Sequence, residues 1–127
     1  MSQPFNGDTF IEQEFLKLKE QYCLTTAFET GTHQGDTTVW LAKNFIKTVS
    51  CEIDADRVEN CRKRFSEEKV HIEFFHGSSE KVLDYVIPHR GIGHDTIFFL
   101  DAHWNSYCPL LDELDTIAKY ELLPVIA

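Results

Sequence analysis

Apolar and polar residues recur along this chain with two periods, one helical and one of strand type, and the switches between them predict an ordered run of elements. Residues 1–8, with Pro4, Asn6, Gly7 and Asp8, read as a loose lead-in. A helix is predicted over 10–22, where Thr9 and Glu12 stand at capping-box spacing and Phe10, Leu16, Leu18 and Tyr22 form an apolar stripe among charges. Residues 25–29 predict a short strand ending at Thr30 and Gly31. Residues 36–44 predict a helix, with Val39, Leu41, Ala42 and Phe45 available to pack on a sheet. Residues 47–53 are rich in β-branched types and predict a second strand ending in Glu52 and Asp54.

The same reading continues to the last residue. A helix over 56–66 presents Val58, Cys61 and Phe65 at helical spacing, and VHIEFFH (70–76) predicts a third strand. Gly77, Ser78 and Ser79 make its exit turn, with a serine capping a helix over 79–87 that Pro88 stops. TIFFLDAH, apolar without interruption, suits a parallel strand covered on both faces and lying mid-sheet. The last helix spans about 109–120, with Leu110, Leu111, Leu114, Ile117 and Ala118 inside and the acids Asp112, Glu113 and Asp115 in water. LLPVIA then begins a fifth strand. Strand and helix alternate at lengths expected of right-handed βαβ units, which implies a three-layer α/β domain on an open, mostly parallel sheet.

Size and charge narrow what such a domain does. A chain of 127 residues holds one hydrophobic core, and 43 % apolar with 13 % aromatic residues suits a packed globule. The formal charge of -9 offers no broad basic field to attract nucleic-acid phosphates. No apolar run reaches membrane-spanning length and the first residues lack a secretion-signal pattern, so the expected location is the cytoplasm. Cys23, Cys51, Cys61 and Cys108 are scattered without a CxxC pair and read as free thiols. His71 and His76 read as structural, and His89 and His94 lack ligand spacing to Cys108.

In an open parallel sheet, ligands bind outside the carboxyl ends of the strands. That rule selects Glu29, Gly31, Thr32, His33, Gln34, Gly35 and Asp36 at the first strand end, and Glu52 and Asp54 at the second. Two glycines let backbone approach a ligand, and the following helix start offers unpaired amides to a carboxylate or phosphate. Glu52 stands about as far beyond Gly31 as the carboxylate that a doubly wound domain offers to ribose hydroxyls. The loop departs from the dinucleotide GxGxxG pattern, and no lysine follows Gly35 as a phosphate-cradling loop requires. Two glycines standing alone would also serve merely to turn the chain.

The stretches AFETGTHQGDTT, VSCEID, FFHGSSEKVL and TIFFLDAHW, in this order, resemble the motifs of class I, Rossmann-like S-adenosylmethionine-dependent methyltransferases over residues 26–127. The resemblance implies a sheet of order 3-2-1-4-5. It also implies that Glu29, Gly31, Thr32 and Gly35 wrap the methionine portion of S-adenosylmethionine, that Glu52 binds the ribose, and that Gly77, Ser78 and Ser79 border the adenine. His33 stands where such loops more usually carry another glycine, a form that the small-molecule methyltransferases and the cephalosporin-hydroxylase-like group tolerate as ExGxxxG.

The local FLDAHW resembles the strand end of catechol-type O-methyltransferases, where the acid helps hold magnesium and the tryptophan lies near the cofactor. It makes Asp101 a candidate for cofactor contact, catalysis and Mg2+ binding, and Trp104 a residue of packing or stacking. His103 is a candidate proton acceptor. Asn105, Ser106 and Tyr107 follow as substrate-facing polar groups.

The expected organisation is a lead-in and helix at 1–24 and a partial cofactor-binding domain at 25–127, lacking the family's final strands, with a homo-oligomer contact covering the edge of strand five. The expected function is methyl transfer to an oxygen or nitrogen of a small molecule. The alternatives are a non-catalytic cofactor-binding or assembly domain, and a nicotinamide-dependent oxidoreductase.

Overall fold

The computed structural model describes residues 3–102, 109–120 and 125–126. A 3-10 turn at Pro4–Gly7 leads into α1 (Thr9–Gln21), β1 (Thr26–Thr30), α2 (Asp36–Asn44), β2 (Lys47–Glu52), α3 (Ala55–Glu68) and β3 (Glu73–His76). Then come α4 (Ser79–His89), β4 (Thr96–Leu100), α5 (Leu110–Lys119) and β5 (Val125–Ile126). The ladders are parallel, and the order β3-β2-β1-β4 follows the expectation. At the fifth position two residues, Val125–Ile126, pair with Ile97 and Phe98. All of β1 is buried, whereas Phe99 and Leu100 of β4 are half-buried, so the most enclosed strand is β1 rather than the TIFFLDAH strand.

Strand alternation sorts the core into two layers. Phe28, Val49 and Phe98 point to one face, where Val82, Leu83 and Val86 of α4 and Ile117 of α5 cover them. Ala27 and Ile97 point to the other, against Phe15 of α1 and Leu41 of α2. Beside that second layer, Val39 of α2 packs on Cys61 and Phe65 of α3. Glu29 and Ser50 share the α2 side, and Thr30 the α4–α5 side, so the carboxyl end of the sheet turns polar on both faces of an otherwise apolar core.

Several local expectations are corrected. The lead-in is ordered: Phe5 is 6 % exposed and its ring lies 4.8 Å from Phe15, 5.3 Å from Trp40 and 5.4 Å from Phe99. Asp8, not Thr9, caps α1, because its carboxylate accepts from Phe10 N at 3.0 Å and Ile11 N at 3.3 Å. Phe10, Leu16 and Tyr22 face solvent, and Phe15 is the residue of α1 that enters the core. Pro88 lies inside α4, which runs on to His89, and Ser78 takes its N-cap position without a side-chain cap bond. In α5, Leu110 and Leu111 are exposed, whereas Glu113 is fully buried beside Ile117.

α3 follows its expected logic. Val58, Cys61 and Phe65 are buried, and the Asp54 carboxylate caps the helix by accepting from Asp56 N at 3.0 Å and Arg57 N at 3.1 Å. Asp54→Ala is expected to cost about 1 kcal/mol in urea unfolding, the usual loss of an N-cap. An unchanged midpoint would show that water replaces the cap.

Candidate functional site

Gly31 is the hinge of the site. Its φ of +79° suits glycine, and a Cβ placed there would lie 2.7 Å from Asp101 O and 2.9 Å from Ala102 Cα. The exits of β1 and β4 therefore touch backbone to backbone. Thr30 stitches them: its carbonyl accepts from Asp101 N at 3.2 Å, and its hydroxyl accepts from Asp101 N at 3.1 Å and Ala102 N at 3.3 Å. Gly35, at φ +88°, serves a different contact, since a Cβ there would meet Phe65 Cε1 at 2.9 Å. One glycine brings two strand ends together and the other seats α2 on α3.

Glu29 is 2 % exposed. Its Oε1 accepts from the hydroxyls of Thr38, in the first turn of α2, and of Ser50, the latter at 2.8 Å. Ser50 Oγ lies 2.6 Å from Thr32 Oγ1, which also donates to Cys51 O at 3.0 Å. Burial pushes the Glu29 carboxyl up to about 8, against the two hydroxyl bonds that favour its charged form. The carboxyl expected to organise the loop is thus buried between β1, β2 and α2, in surroundings that favour its protonated form. Ser50 was legible in principle: it is the polar residue two before Glu52, on the same strand face.

Glu52, at the end of β2, is buried and shared between two backbone turns. Oε1 accepts from His33 N at 2.8 Å and Oε2 from Asp54 N at 3.0 Å. His33 in turn has φ +54°, and its carbonyl accepts from Cys61 Sγ at 3.1 Å. Its Nδ1 is 3.2 Å from Arg57 Nη1. A guanidinium can only donate, so Nδ1 accepts and a neutral ring carries its proton on Nε2, toward Asp101 Oδ2 at 3.9 Å. The departure from the glycine pattern at His33 therefore buys a link from α3 to the exit of β4. Nothing in the spacing of His33, Arg57 and Asp101 along the chain announces that contact.

Gly77 continues from β3, with its N–H donating to Glu52 O at 3.0 Å. Among the described residues, the hydroxyls of Ser78 and Ser79 and both oxygens of Glu113 are buried without a hydrogen-bond partner. The Thr30 and Ser79 hydroxyls still lie near enough to Glu113 to offset part of the rise that burial gives its carboxyl pKa. The expected wet face of α5 is wrong at this position because its first turn lies against the polar end of the sheet. His103, Trp104, Asn105, Ser106, Tyr107 and Cys108 lie outside the described residues.

These groups border two connected hollows. A narrow one lies among Gly31, His33, Cys51, Glu52, Ile53, Gly77, Ser79 and Ala102. A wide polar cleft is lined by Gln3, Phe5 and Asn6 of the lead-in turn together with Glu29, Thr32, Gly35, Thr37 and Asp101. Of the residues expected to hold a cofactor, Glu52 and Gly77 line the first, Glu29, Thr32, Gly35 and Asp101 the second, and Gly31 both. Burial raises the pKa of the Cys51 thiol and pushes that of Cys61 up to about 11, which disfavours the nucleophilic thiolate at both. Among the described residues no group of three or more His, Cys, Asp or Glu side chains could hold a metal ion, and no helix is long and apolar enough to cross a membrane.

No protein-family model and no curated protein matches the chain. Solved structures do resemble it. The O-methyltransferase TomG from Streptomyces achromogenes, involved in tomaymycin synthesis and solved with SAM, aligns at TM-score 0.66 and 20 % identity over 81 % of this chain and 47 % of its own. An O-methyltransferase from Bacillus cereus, solved with SAH, aligns at 0.59 and 21 % over 68 % of this chain and 41 % of its own. An rRNA methylase from Streptococcus thermophilus aligns at 0.56 and 15 % over 82 % of this chain and 62 % of its own. The chain has the class I, Rossmann-like fold of SAM-dependent methyltransferases, and it spans less than two thirds of the length of these structures.

Proposed function

We propose that this chain binds S-adenosylmethionine and serves methyl transfer to an oxygen or nitrogen of a small molecule. The observation that carries the reading is Glu52: a buried carboxylate at the end of β2, fixed by the amides of His33 and Asp54 and bordering the hollow beside Gly31 and Gly77. A carboxylate so fixed keeps further lone pairs for a vicinal diol. Gly31, Thr32, Gly35 and Glu29 would hold the amino-acid portion, and Gly77 and Ser78 the purine. Residues 25–127 would form this cofactor-binding part, with residues 1–24 as its cover.

When bound, S-adenosylmethionine would offer the acceptor a methyl group on a sulfonium, with a thioether as the leaving group. The protein's task is alignment and removal of one proton. Asp101, half exposed beside the wide cleft and facing the His33 ring, is the group we assign to accept that proton, with His103 two residues further on. Asp101 alone does not fit a magnesium shell, which takes several oxygen ligands, and no step is assigned to a metal.

Titration calorimetry on the full chain tests the reading. Saturable binding of S-adenosylmethionine is expected, weakened about tenfold or more in Glu52→Ala, with no heat from NAD. Binding of NAD instead would replace the reading with a nicotinamide-dependent one. No heat from either, with cooperative melting retained, would end it.

A further inference from the structure

We propose that the Pro4–Gly7 turn is a clamp for the amino-acid end of the cofactor, with the carboxamides of Gln3 and Asn6 as its ligand-reading groups. This rests on the methyl-donor reading above and adds a second wall to the site, one outside the glycine loop.

The turn is held in place more firmly than a surface lead-in requires. Phe5 (φ 52°), Asn6 (φ 55°) and Gly7 (φ 82°) are three consecutive left-handed residues, a conformation that costs free energy at the first two. What offsets that cost is the Phe5 ring, sunk among Phe15, Trp40 and Phe99, and the Phe5 N–H, which donates to Thr37 Oγ1 at 2.9 Å. The backbone is thereby tied to the first turn of α2. The result sets Gln3 and Asn6 along the wide cleft that Glu29 and Gly35 also line.

Glu29 is the second observation. Both bonds it receives end on Oε1, and among the described residues Oε2 has no protein partner although the residue is buried and borders the cleft. A ligand ammonium would satisfy that oxygen once the carboxyl, whose protonated form burial favours in the free chain, has released its proton. A carboxamide offers one acceptor and two donors, so Gln3 and Asn6 suit a zwitterion, whose ammonium donates and whose carboxylate accepts.

The test compares two probes that share the adenosine thioether: S-adenosylhomocysteine, which carries the amino-acid end, and 5′-methylthioadenosine, which lacks it. The variants are Gln3→Ala and Asn6→Gly; glycine keeps the left-handed backbone at position 6 while deleting the carboxamide. Each variant is expected to weaken S-adenosylhomocysteine about fivefold and to leave 5′-methylthioadenosine unchanged. Unchanged affinity for S-adenosylhomocysteine in both variants, or a parallel loss of both probes, would overturn the clamp while the methyl-donor reading stood. If the wild-type chain bound neither probe, the methyl-donor reading would fall first and the clamp with it.

Discussion

Gly31→Ala is expected to destabilise the domain by about 3 kcal/mol and to abolish S-adenosylmethionine binding. Two costs add at this position. An alanine held at φ +79° pays on the order of 1–2 kcal/mol for its left-handed backbone. Its methyl would also press on Asp101 O, Ala102 Cα and Ala102 N, at 2.7, 2.9 and 3.0 Å. All three are backbone atoms of the β4 exit, so no side-chain rotation relieves the clash. The strand ends must part, and the hydrogen bonds from Asp101 N and Ala102 N to Thr30 weaken with them.

Gly35→Ala is the internal comparison. Its φ is as unfavourable, but its methyl would meet the Phe65 ring, which can tilt, so the loss should be visibly smaller. Urea unfolding of the two variants checks the ranking. A Gly31→Ala cost below about 1 kcal/mol would mean that the β4 exit yields freely and does not define the cleft.

The contrast between these glycines shows what the residue order reveals. The alternation of elements and the placement of Glu29 and Glu52 at strand ends were legible, because strand periodicity and the carboxyl-end rule act locally, whereas the sheet order 3-2-1-4 came only from the resemblance of the motifs. Which partner each glycine approaches was not, since Asp101 and Phe65 are distant in the chain. Asp8 and Thr9 are both good caps, and only the entry angle of the chain decides between them. Phe5 looked like part of a loose tail because turn-forming neighbours surround it; its burial depends on Phe99, a residue of the fourth strand.

Glu113 is the instructive miss. Counting apolar positions on α5 pointed Leu110 and Leu111 inward, yet the helix turns an acid toward Thr30 and Ser79. Hydrophobic periodicity assumes an apolar surface opposite the helix, and at the carboxyl end of this sheet the surface is polar. The same polarity makes the end of the sheet a place for ligands.

That polarity has a measurable consequence in the pH dependence of stability. Wild type is expected to lose about 3 kcal/mol between pH 5 and pH 7.5 relative to Glu29→Gln. The Glu29 carboxyl is raised from 4.5 to about 8 on folding, so between those values the folded chain holds a proton that the unfolded chain has released. Stability from this group is therefore full below about pH 4.5, falls as pH rises and levels off above about 8. Glutamine keeps an oxygen for the Thr38 and Ser50 hydroxyls and carries no charge to bury, so its curve should lack this slope. Burial also raises Glu113, which contributes a slope of the same sign in both proteins and cancels in their difference. Parallel curves for wild type and Glu29→Gln would mean that Glu29 stays ionised in the fold, and the buried acid between α2 and β2 would then have to be a charged one. A difference that shrinks when S-adenosylhomocysteine is added would tie the same proton to the ligand, since an ammonium beside Oε2 favours the ionised form.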